Sequence, residues 1–298
     1  MVLFFALAHL SFGSESVFDA SMDQKGGSGI SGRPYTEIVG ELDTLARIYP
    51  EYAEKIQYGV TEGGRPLTAI KISKKSVPQT LGSKAILIAG SIHGNEFLNI
   101  EDRLPRWFIE EGMKNAEIQK YFDEGNVIYV APILNPDGYA IKTRTNLKKA
   151  DLNRDFTVRR KNYFAFKQNE TKALTEWLND EIQVTGRKLA VTMDYHCCIG
   201  AVLRPWSFKT SKPPEPDMVK FDTVGRILRE VFGKNYKYGT TPAILKYEAV
   251  GTSKDFYYET YGAIALTFEG KYKKEHQRFK EHTEMWQKMI SAILKGTL

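Results

Sequence analysis

Two apolar runs of strand length each deliver a histidine at their end, and this pairing constrains the fold more than any other feature of the chain. Lys84-Ala-Ile-Leu-Ile-Ala-Gly90 is continuous, apolar and closed by glycine, and Ser91-Ile92-His93-Gly94-Asn95-Glu96 follows at once. Lys188-Leu-Ala-Val-Thr-Met-Asp-Tyr-His196 is the second run. After Glu96, the apolar residues Phe97, Ile100, Leu104, Trp107 and Phe108 fall at roughly helical spacing as far as Glu111. His93 and Glu96 thus stand where a buried strand gives way to a helix. In open α/β sheets, ligands bind off the carboxyl ends of the strands.

The rest of the chain repeats this alternation. Strand-like runs lie near Ile56–Tyr58, Leu67–Ile72, Ala85–Ala89, Val127–Val130, Leu189–Asp194 and Ile264–Phe268. Helical patterns cover Tyr35–Ile48, Glu96–Glu111, Asn169–Glu181, Asp217–Phe232 and Phe279–Lys295. Strands alternating with helices imply an α/β fold with a largely parallel sheet covered on both faces. No internal repeat or low-complexity linker divides the 298 residues, and a hydrophobic content of 42% is enough for one sizeable core. We therefore expect a leader over residues 1–32 and a single α/β domain over residues 33–298.

His93 and Glu96 are close enough for one turn of chain to aim both at one ion, with His196 arriving from the distant strand. Catalytic zinc sites usually take three such ligands and leave a fourth position for water. Taken singly, each piece has a plainer reading. A lone HxxE is common by chance, and a lone strand-end histidine is more often bonded to a backbone carbonyl. Glu269, ending Ala263-Ile-Ala-Leu-Thr-Phe-Glu269, could be a cap or half of an ion pair. Arg144 and Arg154 sit in a charge run that on its own suggests a solvated face, and Tyr247 is one of 16 tyrosines.

It is their order that is specific. HxxE at 93–96 is followed by Asn135-Pro136-Asp137-Gly138, a turn signal, then Thr143-Arg144-Thr145-Asn146 and Asp151-Leu152-Asn153-Arg154. His196, Tyr247 before Gly251, and Thr267-Phe268-Glu269 complete the series. From about Tyr35 to Leu298 this chain resembles the zinc metallocarboxypeptidases of the carboxypeptidase A/B and N/E type, a family that also contains murein peptide amidases and tubulin deglutamylases.

The resemblance implies a mixed, twisted sheet of about eight strands between helices, and one Zn2+ ion held by His93, Glu96 and His196. It gives Asp151 the task of holding the first histidine from behind. It makes Glu269 the general base and Arg144 the cation that polarises the scissile carbonyl. Asn153, Arg154 and Tyr247 would bind the substrate's terminal carboxylate, for which the planar guanidinium fork of arginine is suited. Only a short leader precedes the matching stretch and nothing follows the last helical pattern. Neither the inhibitory pro-domain of the digestive relatives nor the β-sandwich appended to the N/E type is therefore expected. The family can also carry a non-proline cis peptide just after the second histidine, which falls at Cys197–Cys198.

Lys254 occupies the position that lines the pocket for the terminal side chain, with Lys246 and Arg204 as further cations nearby. Such a pocket should favour an acidic terminal residue. A net charge of +6 agrees with anionic substrates, and no aromatic–basic array points to nucleic acid. The only two cysteines, Cys197 and Cys198, are adjacent and read as two small side chains lining the cleft rather than as ligands or a strained ring.

The apolar run Met1–Phe12 is too short to span a bilayer and resembles a secretory signal without its basic start. That suggests export, to a bacterial periplasm or beyond, although a frayed apolar end on a cytosolic protein gives the same pattern. Three function classes remain: a carboxypeptidase acting on peptides with a free C-terminal carboxylate, an enzyme trimming muropeptides at diaminopimelate or γ-glutamyl bonds, and a catalytically dead binding protein. The intact ligand set with Glu269 and Arg144 argues against the last. A monomer with no stable membrane span is expected.

Overall fold

The computed structural model describes residues 27–298 apart from residues 79 and 160–163. The signal-like run at Met1–Phe12 and most of the leader lie outside the described residues. Helix α1 (Tyr35–Ile48) leads into strands β1 (Ala53–Val60), β2 (Pro66–Ile72) and β3 (Lys84–Gly90). Helices α2 (Leu104–Glu110) and α3 (Ala116–Asp123) precede β4 (Val127–Ala131), α4 (Pro136–Ala140) and α5 (Asn169–Leu178). Then come β5 (Lys188–Arg204), α6 (Asp217–Phe232), β6 (Lys237–Thr240), α7 (Thr241–Leu245), α8 (Ser253–Tyr261), β7 (Ile264–Lys271) and α9 (Phe279–Leu294).

The strands form one sheet in the order β1-β2-β4-β3-β5-β6, with β7 also paired to β5. The β1–β2 and β2–β4 pairs are antiparallel, whereas β3 is parallel to both β4 and β5. β5 is more than one strand. Its register against β7 climbs from Val191↔Ile264 to Cys198↔Lys271, then reverses through Ala201↔Glu269 to Leu203↔Thr267. The chain therefore doubles back near Gly200 and holds β7 between its two halves. The sheet has seven strands, one of which contributes two segments, close to the number expected from the sequence.

Successive side chains on a strand point to opposite faces. β3 is buried from Ala85 to Gly90 without a break, so both of its faces are covered. Helix α1 buries Ile38, Leu42 and Leu45, a single stripe at helical spacing, and stops at Ile48 ahead of Pro50, whose ring disfavours helix in the residue before it. α3 and α6 each pack on α9, and α8 lies on β5 and β7.

Two helical expectations are corrected. The pattern over Glu96–Glu111 becomes helix only at Leu104. Ahead of it Asn99 is left-handed (φ 58°), and the Glu101 carboxylate accepts the amides of Leu98 and Ile100, which takes them out of any helical ladder. The pattern ending at Glu181 leaves α5 at Leu178 and continues as a wider π turn to Val184.

Candidate metal centre

β3 ends at Gly90, and the next residues turn sharply, with Ser91 left-handed at φ 47°. The turn is held by the segment after β4: Leu134 N donates to Gly90 O, Asn135 N to Ser91 O and the Asn135 side chain to Ile92 O. Gly94 has no alternative. A Cβ there would lie 2.0 Å from the Gly138 carbonyl carbon, so the HGNE and NPDG turns touch backbone to backbone. His196 reaches the same place from β5, and register pairs it with Glu269 on β7, so the two side chains leave adjacent strands side by side.

His93, Glu96 and His196 are all buried, and their donor atoms lie within 4.8 Å of one another. Glu96 Oε2 is 3.0 Å from Nδ1 of each imidazole. His93 Nε2 faces Asp151 Oδ1 at 3.0 Å. An ionised carboxylate can only accept there, so Nε2 carries the proton. A neutral ring then aims its Nδ1 lone pair at a carboxylate oxygen. Two lone pairs in that contact repel unless positive charge lies close by; Arg144 Nη1 stands 3.2 Å from the same Nδ1, and a second ring proton or a metal cation would relieve the contact directly. Two imidazole nitrogens and a carboxylate oxygen are the donor set of a catalytic zinc site, and these residues fit one.

The electrostatics agree. Burial works against the charge of Glu96, yet His93 and His196 hold its carboxyl far below the usual range. Burial likewise opposes His93, but Glu96 and Asp151 prevail and raise it, whereas burial dominates His196 and lowers it. Asp151, despite its own burial, is kept low by His93 and Arg144. Arg144 sets its Nη1 3.0 Å from Glu96 Oε1 and its Nη2 3.0 Å from Asp151 Oδ2. Glu269 meets the opposite influence: burial first, then the Glu96 charge, push it up to about 8. Two carboxyl groups in one cleft are thus driven apart, one firmly ionised and one with affinity for a proton.

The same cleft, a cavity of about 220 Å³, is lined by the three candidate ligands together with Arg144, Asn153, Arg154, Tyr247, Lys254 and Glu269, while Asp151 backs His93 from behind. Asn153 is buried and accepts Ser253 N through Oδ1, while Arg154 Nη1 donates to Asn153 O. Tyr247 stands exposed at the rim.

Lys254 is on the wall but is only 2% exposed. Its Nζ donates to Ser207 Oγ at 2.5 Å and lies 3.3 Å from Asp255 Oδ1. Arg204 and Lys246, expected beside it, do not line the cleft. Arg204 bonds the Pro205 carbonyl, and Lys246 turns back onto Ala243 O.

Reading the sequence missed the hydroxyls that accompany Lys254. Thr241 and Thr252 are both within 3.2 Å of Ser207 Oγ. They come from three separate segments, so no local motif marks them. It also missed Glu101, fully buried beneath the metal turn with Ser91 Oγ 3.5 Å away. The peptide at Cys197–Cys198 is cis, as the resemblance implies. The two cysteines are not separate side chains, however: a disulfide joins them, with Cα atoms 3.1 Å apart.

A family model described as zinc carboxypeptidase matches residues 38–292. Carboxypeptidase SOL1 of Arabidopsis thaliana is 28% identical over 71% of this chain and 44% of its own length, so the chain spans under half of that relative. Carboxypeptidase B of Astacus astacus is 26% identical over 74% of this chain and 80% of its own. Among solved structures, a metallo-carboxypeptidase from Burkholderia cenocepacia superposes with a TM-score of 0.67 at 17% identity, covering 89% of this chain and 70% of that one. At that identity the likeness is one of fold.

Proposed function

The chain belongs to the zinc carboxypeptidase family, and from that premise we propose that it removes single residues from the C-termini of peptides by zinc-assisted hydrolysis, preferring an acidic terminal residue. The observation that carries this reading is the convergence of His93 Nδ1, Glu96 Oε2 and His196 Nδ1 in a cleft that also holds Glu269, Arg144 and Arg154.

One zinc ion held by these three side chains would supply Lewis acidity, making water acidic enough to lose a proton near neutral pH. Glu269 takes that proton as the new C–O bond forms at the terminal peptide carbonyl. It returns the proton to the amine nitrogen as the C–N bond breaks. The upward push on Glu269 supports this double duty, since a group that must hold a proton between steps needs affinity for it. Arg144, beside Glu96, steadies the charge that develops on the carbonyl oxygen. Asn153 and Arg154 grip the terminal carboxylate, and Tyr247 at the rim closes over it. Asp151 fixes the His93 ring and its tautomer.

Specificity for an acidic end rests on Lys254. Its contacts to Asp255 at 3.3 Å and Arg204 O at 3.4 Å are long. A substrate carboxylate can displace them and gain a charge-assisted bond in a dry pocket. The Met1–Phe12 run supports action after export, and every role is met within one chain, which supports a monomer.

The test is cleavage of peptides varied only at the C-terminal residue, read by mass with and without a zinc chelator. Loss of one terminal Glu or Asp, abolished by chelation, is the expected result. Zinc bound at one equivalent with every linear peptide untouched would redirect the search to non-standard amides such as those of muropeptides.

A further inference from the structure

The short segment between residues 27 and 33 touches all three loops that furnish the centre. Ser28 is completely buried. Its amide donates to the carbonyl of Asn95, the residue before Glu96, at 2.8 Å. Its own carbonyl accepts the amide of Lys273, four residues beyond Glu269, at 2.9 Å. The Gly27 carbonyl lies 3.5 Å from Sγ of Cys198, two residues past His196. Downstream, Ile30 packs against the small cluster that contains Phe97, the neighbour of Glu96, and the Arg33 carbonyl accepts Tyr139 Oη at 2.6 Å. A segment outside the sheet thus fastens the turn bearing Glu96 to the far ends of both strands that deliver His196 and Glu269.

The local sequence is fitted to that path. Gly29 is left-handed at φ 66°, where most side chains are strained. A Cβ there would also strike Lys273 Cγ at 2.7 Å and Tyr272 at 2.8 Å. Ser28 Oγ accepts the Ile30 amide and closes the turn. Nothing in the reaction needs these residues to meet substrate. Their contacts make sense as a clamp on the distance between the ligand turn and the two strand ends.

We propose that Gly27–Arg33 is a positioning strap for the metal centre, and that its docking and metal binding stabilise each other. The proposal rests on the zinc reading of His93, Glu96 and His196. Reciprocity follows from thermodynamic linkage: if the docked strap favours the metal-competent spacing, bound metal must favour the docked strap by the same factor.

The deciding measurement is amide hydrogen exchange on the full chain with and without one equivalent of zinc. The amides of Ser28 and Lys273 should slow together with that of Glu96, which bonds His93 O. The amide of Lys295, at the end of α9, frays independently and serves as the control. Slowing at Glu96 with no change at Ser28 and Lys273 overturns the strap. Failure to bind zinc at all overturns the reading of the centre itself, and the strap with it.

Gly29→Val then tests direction. Zinc release to a chromogenic chelator should accelerate about tenfold, the lower end of what losing a ligand's supporting contact costs. The unfolding temperature of the metal-free protein should hardly move. Unchanged release from a variant whose Ser28 and Lys273 amides exchange freely would sink the proposal.

Discussion

The cleft is bounded by two buried ionic clusters that handle charge in opposite ways. At the metal end, Glu96 and Asp151 face two imidazoles and one half-exposed arginine, and the donor atoms converge on a common point. At the pocket end, Lys254 is wrapped by Ser207, Asp255 and, further off, Asp194, and its charge is largely answered before any substrate arrives. The first cluster is left short of positive charge and suits a cation. The second is nearly neutral as built, and an entering carboxylate must exchange with contacts already made. On the proposed reading, affinity for metal is therefore a matter of preorganised donors, whereas preference for a terminal residue depends on which internal contacts are weak enough to replace.

The largest expected effect lies on the boundary between the two. Glu269→Gln should lower kcat by ~10²–10⁴-fold, the share that general acid–base catalysis supplies. KM and one equivalent of zinc should be retained. Metal analysis alongside steady-state kinetics checks this, and loss of zinc would show that Glu269 is a ligand rather than the base.

Lys254→Met probes the pocket end. Removing one member of a buried ion pair costs about 3–5 kcal/mol of stability, so Asp255 and Asp194 should make this variant markedly less stable in urea titrations. It should also lose its ranking of acid-ended over neutral peptides. The double variant Lys254→Met with Asp255→Asn should regain stability, because Asn still accepts the Ser207 amide, but not the ranking. If the ranking returns with stability, Lys254 supports the wall without reading the substrate.

Asp151→Ala addresses the metal end. Zinc affinity should fall by roughly 10–100-fold, as when a ligand's supporting carboxylate is lost. Competition with a chelator of known affinity measures it, and an unchanged constant would mean that the His93 ring is oriented by packing alone.

The smallest effect concerns Glu101, which belongs to neither cluster and, among the described residues, makes no ion pair. Burial, then the nearby Asp102 charge, push it up to about 8 from an ordinary 4.5. Between those values the folded protein binds the proton that the unfolded chain has released, so stability from this group falls as pH rises from 4.5 to 8. Relative to Glu101→Gln, the wild type should therefore lose a few degrees of unfolding temperature between pH 5 and pH 8, taken as points inside that window. A constant difference would mean that the Leu98 and Ile100 amides keep Glu101 ionised throughout.

The two ends also differ in how far they could be read from the sequence. Coordination demands fixed residue types at fixed places on the chain, so His93, Glu96, His196 and their order with Arg144 and Glu269 are visible without coordinates. Strand runs such as Ala85–Ala89 are equally visible, because a strand buried on both faces must be apolar throughout. The pocket floor has no such grammar. Ser207, Thr241 and Thr252 meet only because β5 doubles back and α7 follows β6. The inward turn of Lys254 depends on Asp255 being buried beside it. Helical periodicity misled over residues 96–103 because side-chain bonds from Glu101 outcompete a helix there. Register was invisible too, and with it the alignment of His196 beside Glu269.

That alignment has a consequence for how such a protein can change. Side chains alternate across a strand, so a one-residue insertion in β5 or β7 would swing Glu269 to the opposite face from His196. The paired strands are therefore closed to insertions and deletions, whereas α7 and the turn that follows it, carrying Thr241 to Thr252, hang from the end of β6 outside that register. On the proposed reading, the reacting groups and the residues that choose substrate thus occupy segments with different freedom to vary, and exchanging residues 241–254 is expected to change specificity while the reaction is retained.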